Sequence, residues 1–475
     1  MPHNLKRPRV TSLTFVLAQL LLASTSQGLV VHPFSRQVRR THQGHGIHSA
    51  LEATPSGGAV VEESSDEGSA TAPNVIFNLV KSIVGAGVLS LPAGIAAFGD
   101  APSALIPASV LIAVMGAISG YTFSMIGRIC KTTKSKSFRE AWDNTLGSRS
   151  SWIVAFAILV DCFAGNLSYS MILADTIKDL VLASTGRAIT RTQSLYGVTG
   201  LVLFPLCLLP DLNALAPFSL VGILGMLYTA VAMTMRFFGT AYKAPAGAFL
   251  SSIPAAPSFG KKGAMAVFSP KALILTCMLS NAYIAHFIAP TCFLELKNNT
   301  VKRFNTVVKS SFSISVLLYM LISAVSFLTF GAASDGLILN NYAPQDFLMS
   351  LSRVAVTISV ICSFPLCFIG TRDGLLDLIN VPTEKRTRRL NNQLTMGVMV
   401  LVTLMAQKLT DLGLVASISG ATFGTALVFV FPCLMFRAAM KKENKKGEST
   451  LAGIIALLGV IIGGIGTRMA ILDAV

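Results

Sequence analysis

The chain has 475 residues, 52% of them hydrophobic and only 13% charged, with a formal net charge of +16. Soluble domains carry about 25% charged residues, so this composition excludes an ordinary soluble protein and points to an integral membrane protein. The basic residues lie in short clusters between apolar runs, which excludes a nucleic-acid surface and fits loops anchored at a membrane.

Residues 1–73 form a segment distinct from the rest. "TFVLAQLLLAS" (Thr14 to Ser24) has the length of a signal-peptide core and follows Lys6, Arg7 and Arg9. No Asp or Glu occurs before Glu52, and Arg36, Arg39 and Arg40 follow the core, a composition that resembles an organelle transit peptide. Glu52 to Pro73 then reads as an acidic, disordered linker. A cleaved secretory signal, a two-part presequence of the plastid kind and an uninserted weak signal all remain open. The sequence therefore predicts a targeting or disordered segment at 1–73 and a membrane domain at 74–475, in an endomembrane such as the vacuole or in a plastid envelope.

A bilayer-spanning helix needs about 20 apolar residues. Eleven stretches qualify or nearly do: 74–98, 102–127, 151–177, 195–210, 213–236, 270–294, 308–330, 350–371, 392–408, 413–436 and 450–471. Starting the first in the cytosol places the clusters around Arg128–Arg149, Lys297–Lys309, Arg372–Arg389 and Arg437–Lys446 on the cytosolic side. That side then holds about twice the positive residues of the other, as the positive-inside rule expects. The eight cysteines lie singly in or beside these stretches, without zinc or redox spacing, and read as small buried apolar residues.

The first stretch, "FNLVKSIVGAGVLSLPAG" (Phe77 to Gly94), carries Lys81, a Gly-Ala-Gly and Pro92. An unpaired backbone group in lipid costs several kcal/mol, so such a break is tolerated only where it lines a polar cavity. Transporters use interrupted helices to hold a carboxylate and coupling ions. The sixth stretch, "ALILTCMLSNAYIAHFIAPTCFLEL" (Ala272 to Leu296), has Ser280, Asn281, His286 and Pro290 at the matching place. The sixth stretch stands five places after the first, an odd offset, so a five-span repeat would be inverted. The expected fold is an all-α membrane protein of about eleven helices, a 5+5 inverted repeat with helices one and six broken and an eleventh appended. The alternative is that Gly and Pro only kink packed helices.

These residues resemble the amino acid/auxin permeases, among them the sodium-coupled neutral amino acid transporters and the vacuolar amino acid transporters of fungi and plants. "FNLVKSIVGAGVLSLP" resembles their first-span signature, and "FPLCLLPDLNALAPFSLVGILGMLYT" (Phe204 to Thr229) their fourth-to-fifth junction. His286 with Glu295-Leu296 keeps the family's sixth-span spacing, with Pro290 one place off it. "VVKSSFSISVLLYMLISAVSFLTFG" and "RVAVTISVICSFPLCFIGTRDGLL" are similar to spans seven and eight. The likeness is collinear from Asn74 to about residue 440.

The resemblance implies a fold like that of the bacterial leucine transporter, with substrate held between spans one, three, six and eight. On it, the amides of Gly85, Ala86 and Gly87 would take an α-carboxylate at a half-helix N-terminus. Asn166, Ser280, Asn281 and Tyr283 would shape the remaining pocket. Asn78 matches a residue the family associates with sodium. Ser359 and Ser363, four apart on one helix face, would add hydroxyl oxygens to the same ion. Such serines also bond their own helix backbone.

Lys81 and Asp161 are the charges deepest in apolar stretches and are expected to face a cavity or each other. Lys81 stands where sodium-coupled relatives often carry a neutral residue, so an ammonium replacing the cation, proton loading on Asp161 and a static ion pair all stay open. His286 is expected either as a proton relay or as a structural hydrogen-bonding residue. The implied function is ion-coupled transport of small to medium neutral amino acids by alternating access. The alternative is a transporter-like sensor signalling through its N-terminal tail. No phosphate loop, metal cluster or nucleophile arrangement points to an enzyme. No cofactor beyond a coupling sodium ion or proton is expected, and no obligatory protein partner.

Overall fold

The computed structural model describes residues 68–209, 218–379, 381, 385–442 and 446–474. The targeting-like segment and part of the 204–229 junction lie outside them. Every long element is a helix, and the only β-type pairings among the described residues are isolated bridges at Ala70–Leu296 and Ser258–Gly331.

The described helices, in chain order, begin with α1 (Ala72–Ile83), a 3-10 turn at Ala86–Ser90 and α2 (Leu91–Phe98). There follow α3 (Leu105–Thr133), α4 (Phe138–Leu146), α5 (Ser151–Thr185), α6 (Arg191–Val198), α7 (Phe204–Cys207) and α8 (Phe218–Phe238). The second half has α9 (Ala272–Ala282), α10 (Ala289–Glu295), α11 (Val301–Phe330), α12 (Phe347–Leu378) and α13 (Arg388–Lys408). It ends with α14 (Leu412–Ser419), α15 (Phe431–Lys442) and α16 (Lys446–Ala474).

Seven helical segments of the described residues are long and apolar enough to cross a bilayer. The pair formed by α1 and the Ala86–Phe98 segment passes the same test together but bends by 41° at its break. The shorter apolar helix Gly222–Phe238 corresponds to the fifth expected stretch. The fourth is divided into α6, a π-helical turn at Thr199–Leu203 and α7, while the ninth is the 21-residue α13.

Polar residues mark where these helices begin. Thr300, Asp346, Thr387 and Asp411 accept hydrogen bonds from first-turn amides of α11, α12, α13 and α14, satisfying donors that have no carbonyl behind them. Inside the spans, hydroxyls of Thr176, Ser315 and Thr329 bond the carbonyl four residues back. These hydroxyls therefore enter the apolar interior with their needs met locally.

Helices α5 and α12 pack along each other, α11 lies against α1 and α3, and α9 with α10 occupies the centre. Of the 18-residue apolar window within Ala272–Glu295 72% is buried, against 28% of the window within Gly447–Leu472 at the periphery. The approach of α14 to α9 depends on Gly420: a Cβ there would sit 1.8 Å from the carbonyl oxygen of Cys277. With Gly424 it forms a small-xxx-small contact of the kind that lets membrane helices touch backbone to backbone. Gly420→Ala is expected to cost about 3 kcal/mol by overpacking. Gly464→Ala, where a Cβ meets nothing within 4 Å, should leave the thermal midpoint in detergent unchanged or raised. Equal midpoints for the two variants would remove this role of Gly420.

Candidate functional site

The first helix stops where glycine withdraws its support. Gly85 takes an extended conformation (φ −100°, ψ −168°) after Val84 has left the helical region, and glycine is a poor helix former. The Val84 amide still reaches Val80 O at 2.7 Å, whereas the Gly85 amide turns to Ile83 O at 2.8 Å. Ala86 and Gly87 open the following 3-10 turn, so their N–H groups have no carbonyl within it. Of the three amides expected to meet a carboxylate, those two are presented and the Gly85 amide is engaged. A Cβ built on Gly85 meets nothing within 4 Å, so the break opens onto space. Pro92 falls in the first turn of α2, where a missing N–H costs nothing.

The second interruption has the same logic. Helix α9 ends at Ala282, Tyr283 and Ala285 leave helical geometry, and a short turn at His286–Ile288 leads into α10 with Pro290 in its first turn. The two breaks meet. A Cβ on Gly87 would lie 3.7 Å from Ala282 Cα. The hydroxyl of Tyr319, on α11, donates to Ile83 O at 2.7 Å and to Ala282 O at 2.8 Å. One fully buried side chain thus holds the last carbonyl of α1 and the last carbonyl of α9.

The other expected residues distribute around this point. Ser280 Oγ donates to Thr276 O at 3.0 Å, its own helix backbone. Asn281 is half-buried beside Gly420. Tyr283 is fully buried, its hydroxyl donating to Ile112 O of α3 at 3.1 Å and its ring 4.9 Å from that of Tyr319. Its polar end is therefore turned away from the break.

His286 is fully buried, with Nε2 3.0 Å from Thr122 Oγ1 and 3.1 Å from Ser119 O. A carbonyl can only accept, which favours the proton on Nε2 and leaves Nδ1, without a partner, as a bare acceptor. A second proton would land on Nδ1 with nothing to receive it. This geometry favours the structural bond between α3 and the α9–α10 break over the relay.

Lys81 is half-buried on α1, within electrostatic reach of Cys362 on α12. Asp161 is 8% exposed on α5 and makes no ion pair among the described residues, so Lys81 and Asp161 are not joined to each other. Asn78 is exposed, and its carbonyl accepts from Ser82 Oγ at 2.9 Å. Ser359 Oγ faces Gly222 of α8, where a Cβ would lie 2.6 Å away, and Ser363 is half-buried one turn on. No hydrogen bond links Asn78, Ser359 and Ser363 among the described residues.

Asn166 belongs to a feature that reading the chain linearly missed. Cys162-Phe163-Ala164-Gly165 on α5 and Cys367-Phe368-Ile369-Gly370 on α12 share one pattern, and the two copies face each other. A Cβ on Gly370 would be 2.8 Å from Cys162 Sγ, and one on Gly165 would be 3.1 Å from Cys367 Sγ. The next residues also pair, Asn166 Nδ2 donating to Thr371 Oγ1 at 2.9 Å. Such reciprocal contact is what a local two-fold axis produces. The signal was present as two Cys-Phe-x-Gly tetrads. Tyr319 had a signal as well: a tyrosine midway along the seventh stretch, in the run Val316–Ile322.

Comparisons with known proteins identify the family and the fold. Residues 68–472 match the family described as transmembrane amino acid transporter protein. The putative sodium-coupled neutral amino acid transporter 11 of Danio rerio is 25% identical over 85% of this chain and 86% of its own length. Vacuolar amino acid transporter 2 of Saccharomyces cerevisiae is 21% identical, covering 84% of this chain and 83% of the relative. Among solved structures, MhsT in complex with L-phenylalanine superposes with a TM-score of 0.52 at 12% identity, covering 86% of this chain and 99% of that one, which shows a shared fold. With its several apolar spans the protein is a multi-pass integral membrane protein. A match across nearly all of its membrane part makes the conclusion plain: the chain belongs to the transmembrane amino acid transporter family.

Proposed function

We propose that the protein is a secondary active transporter of small to medium neutral amino acids, working by alternating access and driven by a sodium or proton gradient. The observation that carries this reading is the meeting of the two interrupted helices under Tyr319, beside open space at Gly85. Presented amides at Ala86 and Gly87 suit a carboxylate. The residues around the breaks (Gly85, Ala86, Gly87, Ser280, Asn281, Ala282) carry no charge of their own, which suits a neutral side chain.

An eleven-helix 5+5 inverted repeat is the architecture on which this works, and the reciprocal Cys-Phe-x-Gly packing of α5 and α12, third and eighth in such a repeat, supports it. Ion coupling is assigned to the region of Asn78, Lys81, Asp161, Ser359 and Ser363, with Asp161 as the proton-accepting group if protons drive transport. The membrane proposed is an endomembrane, vacuolar as in the yeast relative's name, or a plastid envelope. The sensor reading has no support from the relatives, all named as transporters.

Uptake by purified protein in liposomes, with sodium and pH gradients imposed separately, tests the proposal. Accumulation of a neutral amino acid under one of the gradients is expected. No uptake under either gradient, by protein that is folded, would sink it. Lys81→Ala is expected to shift the ion concentration for half-maximal uptake about tenfold, a typical coupling magnitude, with a smaller effect on substrate choice. An unchanged sodium and pH response would remove Lys81 from coupling.

A further inference from the structure

At the start of α13 the chain holds an arrangement that the transport reading does not use. The first turn contains Arg388 and Arg389 and no acidic residue. Cations at a helix N-terminus oppose the positive end of its dipole, so this turn is electrostatically unfavourable as it stands. The neighbouring Arg386 is neutralised, pairing with Asp377 and donating to Val381 O at 3.2 Å. Arg388 and Arg389 are exposed and make no hydrogen bond or ion pair among the described residues.

Both arginines line a groove of about 530 Å³ between the α7 region and α13. Asn392 and Gln393 continue the lining, one turn along α13, and then Met396. Phe204 and Leu208 close the opposite wall. The groove is thus basic and polar at its mouth and apolar further in. Beyond it the surface stays apolar on both sides, with Leu201 82% and Val400 53% exposed. By the loop charges its mouth lies at the cytosolic face of the membrane, where anionic lipids concentrate.

We infer that this groove binds an anionic phospholipid of the cytosolic leaflet. Its phosphate is held by Arg388 and Arg389 at the α13 N-terminus, and an acyl chain runs along Met396, Phe204 and Leu208. Charge complementarity selects the headgroup: two unpaired guanidinium groups and a dipole end present positive charge to a phosphate. The apolar floor selects a lipid over a free phosphate, because a soluble anion leaves that floor uncovered.

The test uses the purified full chain in neutral detergent, titrated in parallel with phosphatidylglycerol, phosphatidylcholine and glycerol 3-phosphate. Native mass spectrometry reads retained lipid and the thermal midpoint reads stabilisation. Phosphatidylglycerol is expected to be retained and to raise the midpoint, with phosphatidylcholine and glycerol 3-phosphate doing neither. Arg388→Gln/Arg389→Gln is expected to weaken phosphatidylglycerol binding about tenfold or more, both positive charges that face the headgroup being lost. Lys131→Gln/Lys302→Gln, which removes two exposed cytosolic-side lysines away from the groove, should keep wild-type binding. If the arginine variant does not fold, Met396→Asp, placing a charge on the acyl path, should weaken retention in its stead. Equal retention of the two lipids, or full phosphatidylglycerol binding by the folded arginine or Met396 variant, overturns the assignment. So does an equal midpoint shift from glycerol 3-phosphate alone.

Discussion

Arg353→Met is expected to be among the most damaging single substitutions in the membrane domain, with a loss of about 3–5 kcal/mol, the usual effect of breaking a buried ion pair from one side. Arg353 is 0% exposed. It pairs with Asp179 of α5 at 3.2 Å and donates to Leu339 O at 2.8 Å, Tyr342 O at 2.7 Å and Ala343 O at 3.4 Å. The side chain therefore fastens the 331–346 loop to α12 and α5 together. The 3-10 turn of that loop, Ile338–Asn341, contacts the Ala86–Ser90 turn at the break of the first span, so the effect reaches the proposed site.

Methionine fills similar volume but takes the guanidinium from Asp179 and leaves Tyr342 O without a donor among the described residues, while Leu339 O and Ala343 O keep only the amides of Tyr342 and Asp346. Replacing both partners of a buried pair by apolar groups is often nearly neutral, and that gives the decisive arm. If the ion pair alone mattered, Arg353→Met/Asp179→Leu would recover the wild-type midpoint. If fastening the loop matters, the double variant stays destabilised because Tyr342 O remains unpaired and the loop has lost its tie to α12. Thermal unfolding in detergent distinguishes the two. A single Arg353→Met protein with an unchanged midpoint would refute both.

Tyr319→Phe is expected to leave a folded protein whose uptake rate falls about 10- to 100-fold. The ring, tilted against that of Tyr283 at 4.9 Å between centroids, is kept, so packing changes little. What is lost is the donor shared by Ile83 O, which keeps the Gly85 amide, and Ala282 O, to which the described residues offer no other from outside its own helix. An orphaned buried carbonyl costs about 1–3 kcal/mol, enough to let the two helix ends part or draw in water. A hydroxyl has one proton, so the two carbonyls share it, and the joint can favour either helix as they move. A falling maximal rate with little change in half-saturation would mark a defect in the moving step. Wild-type rates at equal protein in the membrane would show that the hydroxyl has no part in transport.

Local chemistry made much of this legible in advance. Residues 74–98 and 270–294 declared themselves by pairing long apolar runs with Gly, Asn and Pro, because in lipid a helix-breaking residue is tolerated only for a reason. Proline at Pro92 and Pro290 falls in first turns, where it lacks nothing. The position of the polar groups within those segments was less legible. Ser280 and Tyr283 satisfy themselves on Thr276 and Ile112, and no linear pattern states which way a side chain turns in a packed bundle. Lys81 and Asp161, the two deepest charges, lie on different helices and do not pair with each other, because helix rotation, and not depth, decides contact.

The sequence by itself determined that this is a helical membrane protein and where its first and sixth apolar segments must fail, since both follow from the cost of unpaired backbone in hydrocarbon. Only the tertiary structure decided that the two failures meet, that Tyr319 joins them, and that Cys162 and Cys367 each nest over the other's glycine. Those facts depend on which faces distant helices turn toward one another. That choice is made by close packing across the whole bundle, and no single segment contains it.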